Sequence, residues 1–321
     1  MPREINRRTF IKKSLVTSTA GALALRAGAD SAAAAAPPAP KDALPQGKIG
    51  KLSVSRMLLG GNLLTHYTHS RDLRYVYNLT ARYNTEKKIL ETMALAEANG
   101  INTLSVHTVP SVLKLLAKHR KDGGKIQWII CPTAPVKDDM RAYTDQVKQL
   151  LDMGTDAIYL WGVHGDGLAG RGRVDLIAKA VEAAKKVGLP SGVGGHGLKV
   201  VTECEKNDVP ADFYIKTLHH HKYPSAPRPD ELKGPYSEHP GYWCKDPKAV
   251  IDFMKGVEKP WIAFKVMAAG AISPTSAFKF AFEGGADFVL AGMFDFEIRD
   301  DAKVLKSLLA RKLNRARPWR G

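Results

Sequence analysis

Side chains able to do chemistry recur at regular places along this sequence. His107, His164, His196 and the pair His219 and His220 each close a short apolar or β-branched run, Lys216 and Lys265 lie inside two such runs, and Asp295 follows the last. A lysine taken out of water loses the solvation of its charged form, and a second amine nearby adds repulsion. Both effects lower its pKa and make it nucleophilic near neutrality. On that basis Lys216 is a Schiff-base nucleophile or electrostatic stabiliser, Lys265 is the neighbour that tunes it, and His196 and His219 move protons. The imidazoles also permit a second chemistry. His107, His164, His196 and His219 can bind a divalent metal such as zinc, with Asp295 as a carboxylate ligand. Hydride transfer is a third, and it requires a reduced nicotinamide cofactor. Successive strand residues face opposite sides, so His219, His220 and His221 cannot all point inward. Lys216 and His219 share a face only if their strand bends.

Eight elements must position these groups. Apolar runs begin near Met57, Thr103, Ile126, Ala157, Pro190, Asp212, Trp261 and Asp287, and helix-period segments separate them. Thr85 reads as an N-cap before the stripe Ile89, Leu90, Met93 and Ala96, with Gly100 as the stop. Met140, Tyr143, Val147, Leu150 and Leu151 repeat the pattern before Gly154, and Leu176, Ile177, Ala180, Val181 and Ala184 repeat it before Gly188. Alternating strands and helices predict right-handed parallel units, and eight of them predict an α/β chain closed into a (β/α)8 TIM barrel over 48–321. The strand ends then converge on one mouth. Two long connections, 61–84 and 221–246, lie at that mouth and carry aromatics that can stack on a sugar-like small molecule. Asn62, His107, His164 and Asp295 are expected to bind substrate, and Gly270 and Gly292 to offer backbone N–H groups to an anion.

The ends of the chain read differently. Asn6-Arg7-Arg8-Thr9-Phe10-Ile11-Lys12-Lys13 is basic, Ser14 to Leu25 is weakly apolar, and Ala32 to Ala36 is a run of small residues. That order over 1–36 predicts a signal peptide, and the paired arginines resemble the twin-arginine export motif. The export machinery is then a partner, and the periplasm or cell envelope the destination. The apolar stretch is too short for a stable membrane span. Pro37, Pro38, Pro40 and Pro45 predict an extended linker over 37–47. The net charge is +16, and subtracting the leader's +4 leaves +12. The basic tail Arg311, Lys312, Arg315, Arg317 and Arg320 lacks the aromatic interleaving of a nucleic-acid module, so no nucleic-acid partner is expected. Cys131, Cys204 and Cys244 match no zinc spacing, and one disulfide among them is open in an oxidising compartment.

Three resemblances follow from particular stretches. Arg56 to Leu64, Gly100-Ile101-Asn102-Thr103 and Tyr159-Leu160-Trp161-Gly162-Val163-His164 resemble the aldo/keto reductase barrel. That family's strand-two aspartate falls on Ser105, Gln127 to Cys131 holds no lysine for its strand three, and His164 matches its catalytic histidine. Ala211-Asp212-Phe213-Tyr214-Ile215-Lys216-Thr217 and Phe264-Lys265-Val266-Met267-Ala268-Ala269-Gly270 resemble class I aldolases of the deoxyribose-phosphate type. Gly60-Gly61-Asn62, His69 to Val76, Gly123 to Ile129, Lys216 to His219 and Ala263 to Ile272 resemble a group of exported bacterial barrel proteins. The combined expectation is an extracytoplasmic enzyme acting on a small carbonyl or sugar-like substrate, as a lyase, aldolase-type enzyme or isomerase. An aldo/keto-reductase-related oxidoreductase and a non-catalytic carbohydrate-binding barrel are the alternatives. Export disfavours a freely exchanging nicotinamide, because no such pool is expected outside the inner membrane.

Overall fold

The computed structural model describes residues 43–321. The signal peptide read over 1–36 and the linker up to residue 42 lie outside the described residues. The last part of the stretch read as linker is folded: Leu44 is buried, and an antiparallel hairpin of β1 (Gln46–Ile49) and β2 (Leu52–Ser55) follows.

Eight parallel strands then close a barrel. They are β3 (Met57–Gly60), β4 (Thr103–His107), β5 (Gln127–Cys131), β6 (Ala157–Leu160), β7 (Ser191–Gly195), β8 (Phe213–Thr217), β9 (Trp261–Phe264) and β10 (Phe288–Ala291), with β10 paired to β3. The expected (β/α)8 barrel is the fold, and each predicted run became a strand. Around it run α1 (Tyr75–Tyr83), α2 (Glu86–Ala98), α3 (Pro110–Lys121), α4 (Arg141–Asp152), α5 (Gly162–Gly170), α6 (Val174–Lys185), α7 (Leu198–Lys206), α8 (Pro247–Met254), α9 (Pro274–Glu283) and α10 (Ile298–Leu309).

Period-two alternation divides the apolar residues between two cores. Leu58, Ile129, Ala157, Tyr159, Phe213, Ile215, Ile262 and Phe288 fill the barrel, together with Ile49, Leu52 and Val54 of the hairpin. The hairpin therefore plugs one end. That end is where the strands begin, since Gln127 Nε2 donates to the Ser53 carbonyl at 2.8 Å and Ser55 N to Asn102 Oδ1 at 2.8 Å. Alternate residues such as Leu59, Trp128, Ile158, Tyr214 and Trp261 face the helices. Each side chain so buried contributes roughly 1.5–3 kcal/mol of transfer free energy. Thr85 caps α2 as expected, its side chain accepting from Lys88 N.

Part of the basic tail is folded onto the barrel: Arg317 is buried and Arg315 and Arg320 partly so, while Arg311 and Lys312 are exposed. Asp287 at the start of β10 is wholly buried and accepts from Arg317 Nη2 at 2.5 Å, Arg320 N at 2.8 Å and Trp261 N at 2.9 Å. The Arg315 guanidinium stacks on Trp319 at 3.4 Å, and Arg56 approaches the same ring at 4.1 Å. Cys131, Cys204 and Cys244 are buried free thiols, so the disulfide left open by the sequence does not form among them. Among the described residues no helix is long and apolar enough to cross a membrane.

Candidate active site

Glycine spacing in α5 sets the first part of the site. A Cβ on Gly165 would stand 2.2 Å from the Gly194 carbonyl oxygen, so α5 lies backbone to backbone on β7. That approach brings Asp166 to the end of β7. Its carboxylate accepts from Gly197 N at 2.8 Å, from His196 N at 3.0 Å and from His196 Nδ1 at 2.7 Å. With Nδ1 carrying the proton, His196 presents an unprotonated Nε2. Burial pushes this imidazole down to about 4, against the pull of Asp166, so it is neutral at physiological pH. Its ring lies 4.3 Å from Tyr236 and 5.4 Å from Phe264, centroid to centroid. Gly165→Ala is expected to cost about 1–3 kcal/mol, because backbone must move. It should also detach Asp166 from His196, raising the histidine's susceptibility to acylation; urea unfolding and diethyl pyrocarbonate labelling check the two effects.

The two long connections supply a second imidazole–carboxylate pair. His69 Nδ1 donates to Glu238 Oε1 at 2.6 Å, and Trp243 Nε1 donates to the same oxygen at 3.3 Å. His69 Nε2 is thereby left as an acceptor. It meets Asn62 Nδ2 at 3.2 Å and is hydrogen-bonded to Lys265 Nζ. Lys265 directly follows β9 and sits in the left-handed region (φ 57°), and Ala268 and Ala269 repeat that conformation. Strain of this kind costs on the order of 1 kcal/mol per non-glycine residue and is held only by surrounding structure. Arg71 is part of that structure: it donates to Ser225 Oγ at 2.7 Å and to the Ala268 carbonyl at 2.9 Å, and so binds the loops after β3, β8 and β9 together.

The electrostatics single out Lys265. Burial pushes its amine down to about 7, against the opposing pull of Glu238 and Asp166. Burial also holds His69 below the ordinary histidine range despite Glu238. Burial alone would raise Glu238, but the His69 hydrogen bond and the charges of His69 and Lys265 keep it below the usual carboxylate range. The result is a near-neutral amine with a neutral imidazole in contact and a second imidazole, His196, close enough to feel its charge.

Other residues expected in the site behave differently. Lys216 shares its face of β8 with Tyr214 and Leu218, which pack toward the helices, while Phe213 and Ile215 fill the barrel. It has no exposed surface, and its Nζ donates to the Thr217 carbonyl and Oγ1, both at 2.9 Å. Strand parity places it behind the mouth. His219 Nδ1 donates to the His220 carbonyl at 3.0 Å, and its Nε2 accepts from Trp243 N at 2.9 Å and Cys244 N at 3.1 Å. With both nitrogens engaged it tethers the second connection and has no lone pair left to shuttle protons. His164 does not end a strand, because β6 stops at Leu160 and His164 lies in α5. His107 does end β4 and stacks on Trp161 at 6.3 Å. Asp295 is taken by Lys88 Nζ at 2.5 Å and Tyr83 Oη at 2.7 Å, which makes it a clip between α2 and the loop after β10. Asn62 orients His69. Gly270 sits in the left-handed turn after Ala269, and Gly292 lies against Gly60, where a Cβ would meet Gly292 N at 2.7 Å.

The four histidines proposed as metal ligands are divided. His196 is bound to Asp166, His219 to backbone, and His107 and His164 each pack against Trp161, the first stacked and the second edge-on. Among the described residues no three His, Cys, Asp or Glu side chains are grouped to hold a metal ion. Asp166 and Glu238 were not anticipated as site residues, whereas His69, Arg71 and Tyr236 were expected only as part of the two long connections at the mouth. The glycines at 162 and 165 are a sequence signal that could have found Asp166.

No protein-family model matches the sequence, and none of the curated proteins is similar to it. Solved structures share its fold. Two structures of a Pseudomonas aeruginosa protein described as an aldo-keto reductase are 15% identical, with TM-scores of 0.54 and 0.55, and cover 84% of this chain and 98% of their own. An aldo-keto reductase from Bacillus halodurans is 12% identical with a TM-score of 0.55, covering 82% of this chain and 91% of its own. The inward positions where that resemblance calls for charged groups are neutral here: the Tyr159 hydroxyl stands beside Ser105 on β4 and Cys131 on β5. The likeness is one of barrel architecture.

Proposed function

We propose that the barrel is a lysine-dependent enzyme acting on a small carbonyl compound in lyase or isomerase chemistry, with Lys265 as the reacting amine. One observation carries this reading: a largely buried amine near neutrality at a strand end, touching His69 and within electrostatic reach of His196. The free amine attacks the carbonyl carbon, forming a C–N bond. Two proton transfers then release the carbonyl oxygen as water and leave an iminium. The iminium draws electrons from the adjacent C–C or C–H bond, and neutral His196 Nε2 takes or returns the proton. The His69–Glu238 pair accepts the proton that Lys265 must shed before attack. The twin-arginine-like leader supports action outside the inner membrane.

The test is trapping with cyanoborohydride and short aldehydes at pH 7.5, followed by peptide mass mapping. An adduct on Lys265 is the expected result; one confined to Lys216, or none above that of exposed lysines, contradicts it. A second reading, carbonyl reduction, is favoured by the fold likeness to aldo-keto reductases. It would show as saturable binding of a reduced nicotinamide and its oxidation by the same aldehydes.

A further inference from the structure

We infer that the substrate is an uncharged, hydroxyl-bearing carbonyl compound of the open-chain sugar kind, and that Glu238 selects it by accepting a hydrogen bond from a substrate hydroxyl. This rests on Lys265 being the reacting amine. Glu238 Oε1 is saturated by His69 and Trp243, whereas Oε2 is sealed from solvent and has no partner. A carboxylate oxygen in that setting lacks one thing, a donor, and the bond it forms with a ligand hydroxyl is charge-assisted. Glu238 and Asp166 both bear on Lys265, so an anionic ligand reaching that amine meets two carboxylates. Arg71, a cation of the same loops, is held by the neutral partners Ser225 and Ala268, and its charge is not among those that bear on Lys265. Exposed flat rings border the two imidazoles: Tyr67 is 57% exposed and lies 5.4 Å from His69, and Tyr236 is 38% exposed beside His196. Aromatic faces with polar edges suit a chain of C–H and O–H groups.

Three aldehydes of equal carbon number separate these features. Cyanoborohydride trapping on Lys265 is timed for glyceraldehyde, glyceraldehyde 3-phosphate and propionaldehyde, in the wild type and in Glu238→Gln. Glyceraldehyde is expected to react at least about tenfold faster than either of the others. In Glu238→Gln its advantage over propionaldehyde should shrink to about twofold. The propionaldehyde rate reports the state of the amine itself, so any disturbance of His69 by the substitution is divided out. Propionaldehyde matching glyceraldehyde, the phosphorylated compound leading, or an undiminished preference in the variant overturns the selectivity and leaves the amine chemistry standing. No Lys265 adduct with any of the three overturns both.

Discussion

Lys265→Met is expected to abolish aldehyde trapping and turnover, by roughly 10³-fold or more, while making the protein more stable at and below neutral pH. The two effects share one cause. Burial lowers this lysine from 10.5 to about 7 in the native state, while the unfolded chain keeps the ordinary value. Below pH 7 the amine is protonated in both states, and the native state bears the whole cost of a buried charge, on the order of 5 kcal/mol. Above pH 7 the native amine sheds its proton while the unfolded one keeps it. Stability then rises by about 1.4 kcal/mol per pH unit until the unfolded lysine also titrates near 10.5. Methionine keeps the length and removes the charge. Urea unfolding of wild type and variant should therefore differ most at pH 6 and converge toward pH 10. Activity of the wild type should rise as pH passes through 7, since the free amine is the nucleophile; His196, neutral above about 4, adds no limb in that range.

Asp287→Asn is expected to destabilise the fold by about 3–5 kcal/mol. Asp287 and Arg317 are fully buried partners, and Arg315 lies 3.6 Å from the same carboxylate. Asparagine leaves two guanidinium charges without a counter-ion away from water. It also weakens the bonds from Trp261 N and Arg320 N that tie the starts of β9 and β10 to the C-terminal segment. Because the pair is buried, the loss should persist in high salt. Asp300, paired at 3.7 Å with Lys303 on an exposed face of α10, is the control: Asp300→Asn should change stability by no more than about 0.5 kcal/mol. Urea midpoints for both variants, with and without about 0.5 M salt to screen exposed pairs, check the comparison.

The barrel was legible because its strands are buried on both faces and read as apolar runs, with amphipathic segments between them. The hairpin of β1 and β2 was not, since Gln46–Ser55 is polar on one side and follows prolines that signal a spacer. The site was legible only in part. Lys265 and His196 stand directly at strand ends, where barrel geometry alone brings them to the mouth. Lys216 was misplaced although its parity was visible, because the chemistry of a second lysine outweighed the alternation of faces. His164 was misplaced because Gly162–Gly170 has no apolar stripe to announce a helix. His69, Glu238 and Arg71 lie in long connections, and no periodicity says which loop residues will meet across a barrel mouth. The same limit applies to the tail: five bases in sequence gave no sign that Arg315 and Arg317 would close over one aspartate.

The most direct test of the account is the titration of Lys265 itself, followed by NMR of ¹³C-labelled lysine side chains, with Lys265→Arg identifying its resonance. A midpoint near 7 is the expected result. A midpoint near 10.5, the value of a lysine in water, would contradict the proposal that this amine is the nucleophile.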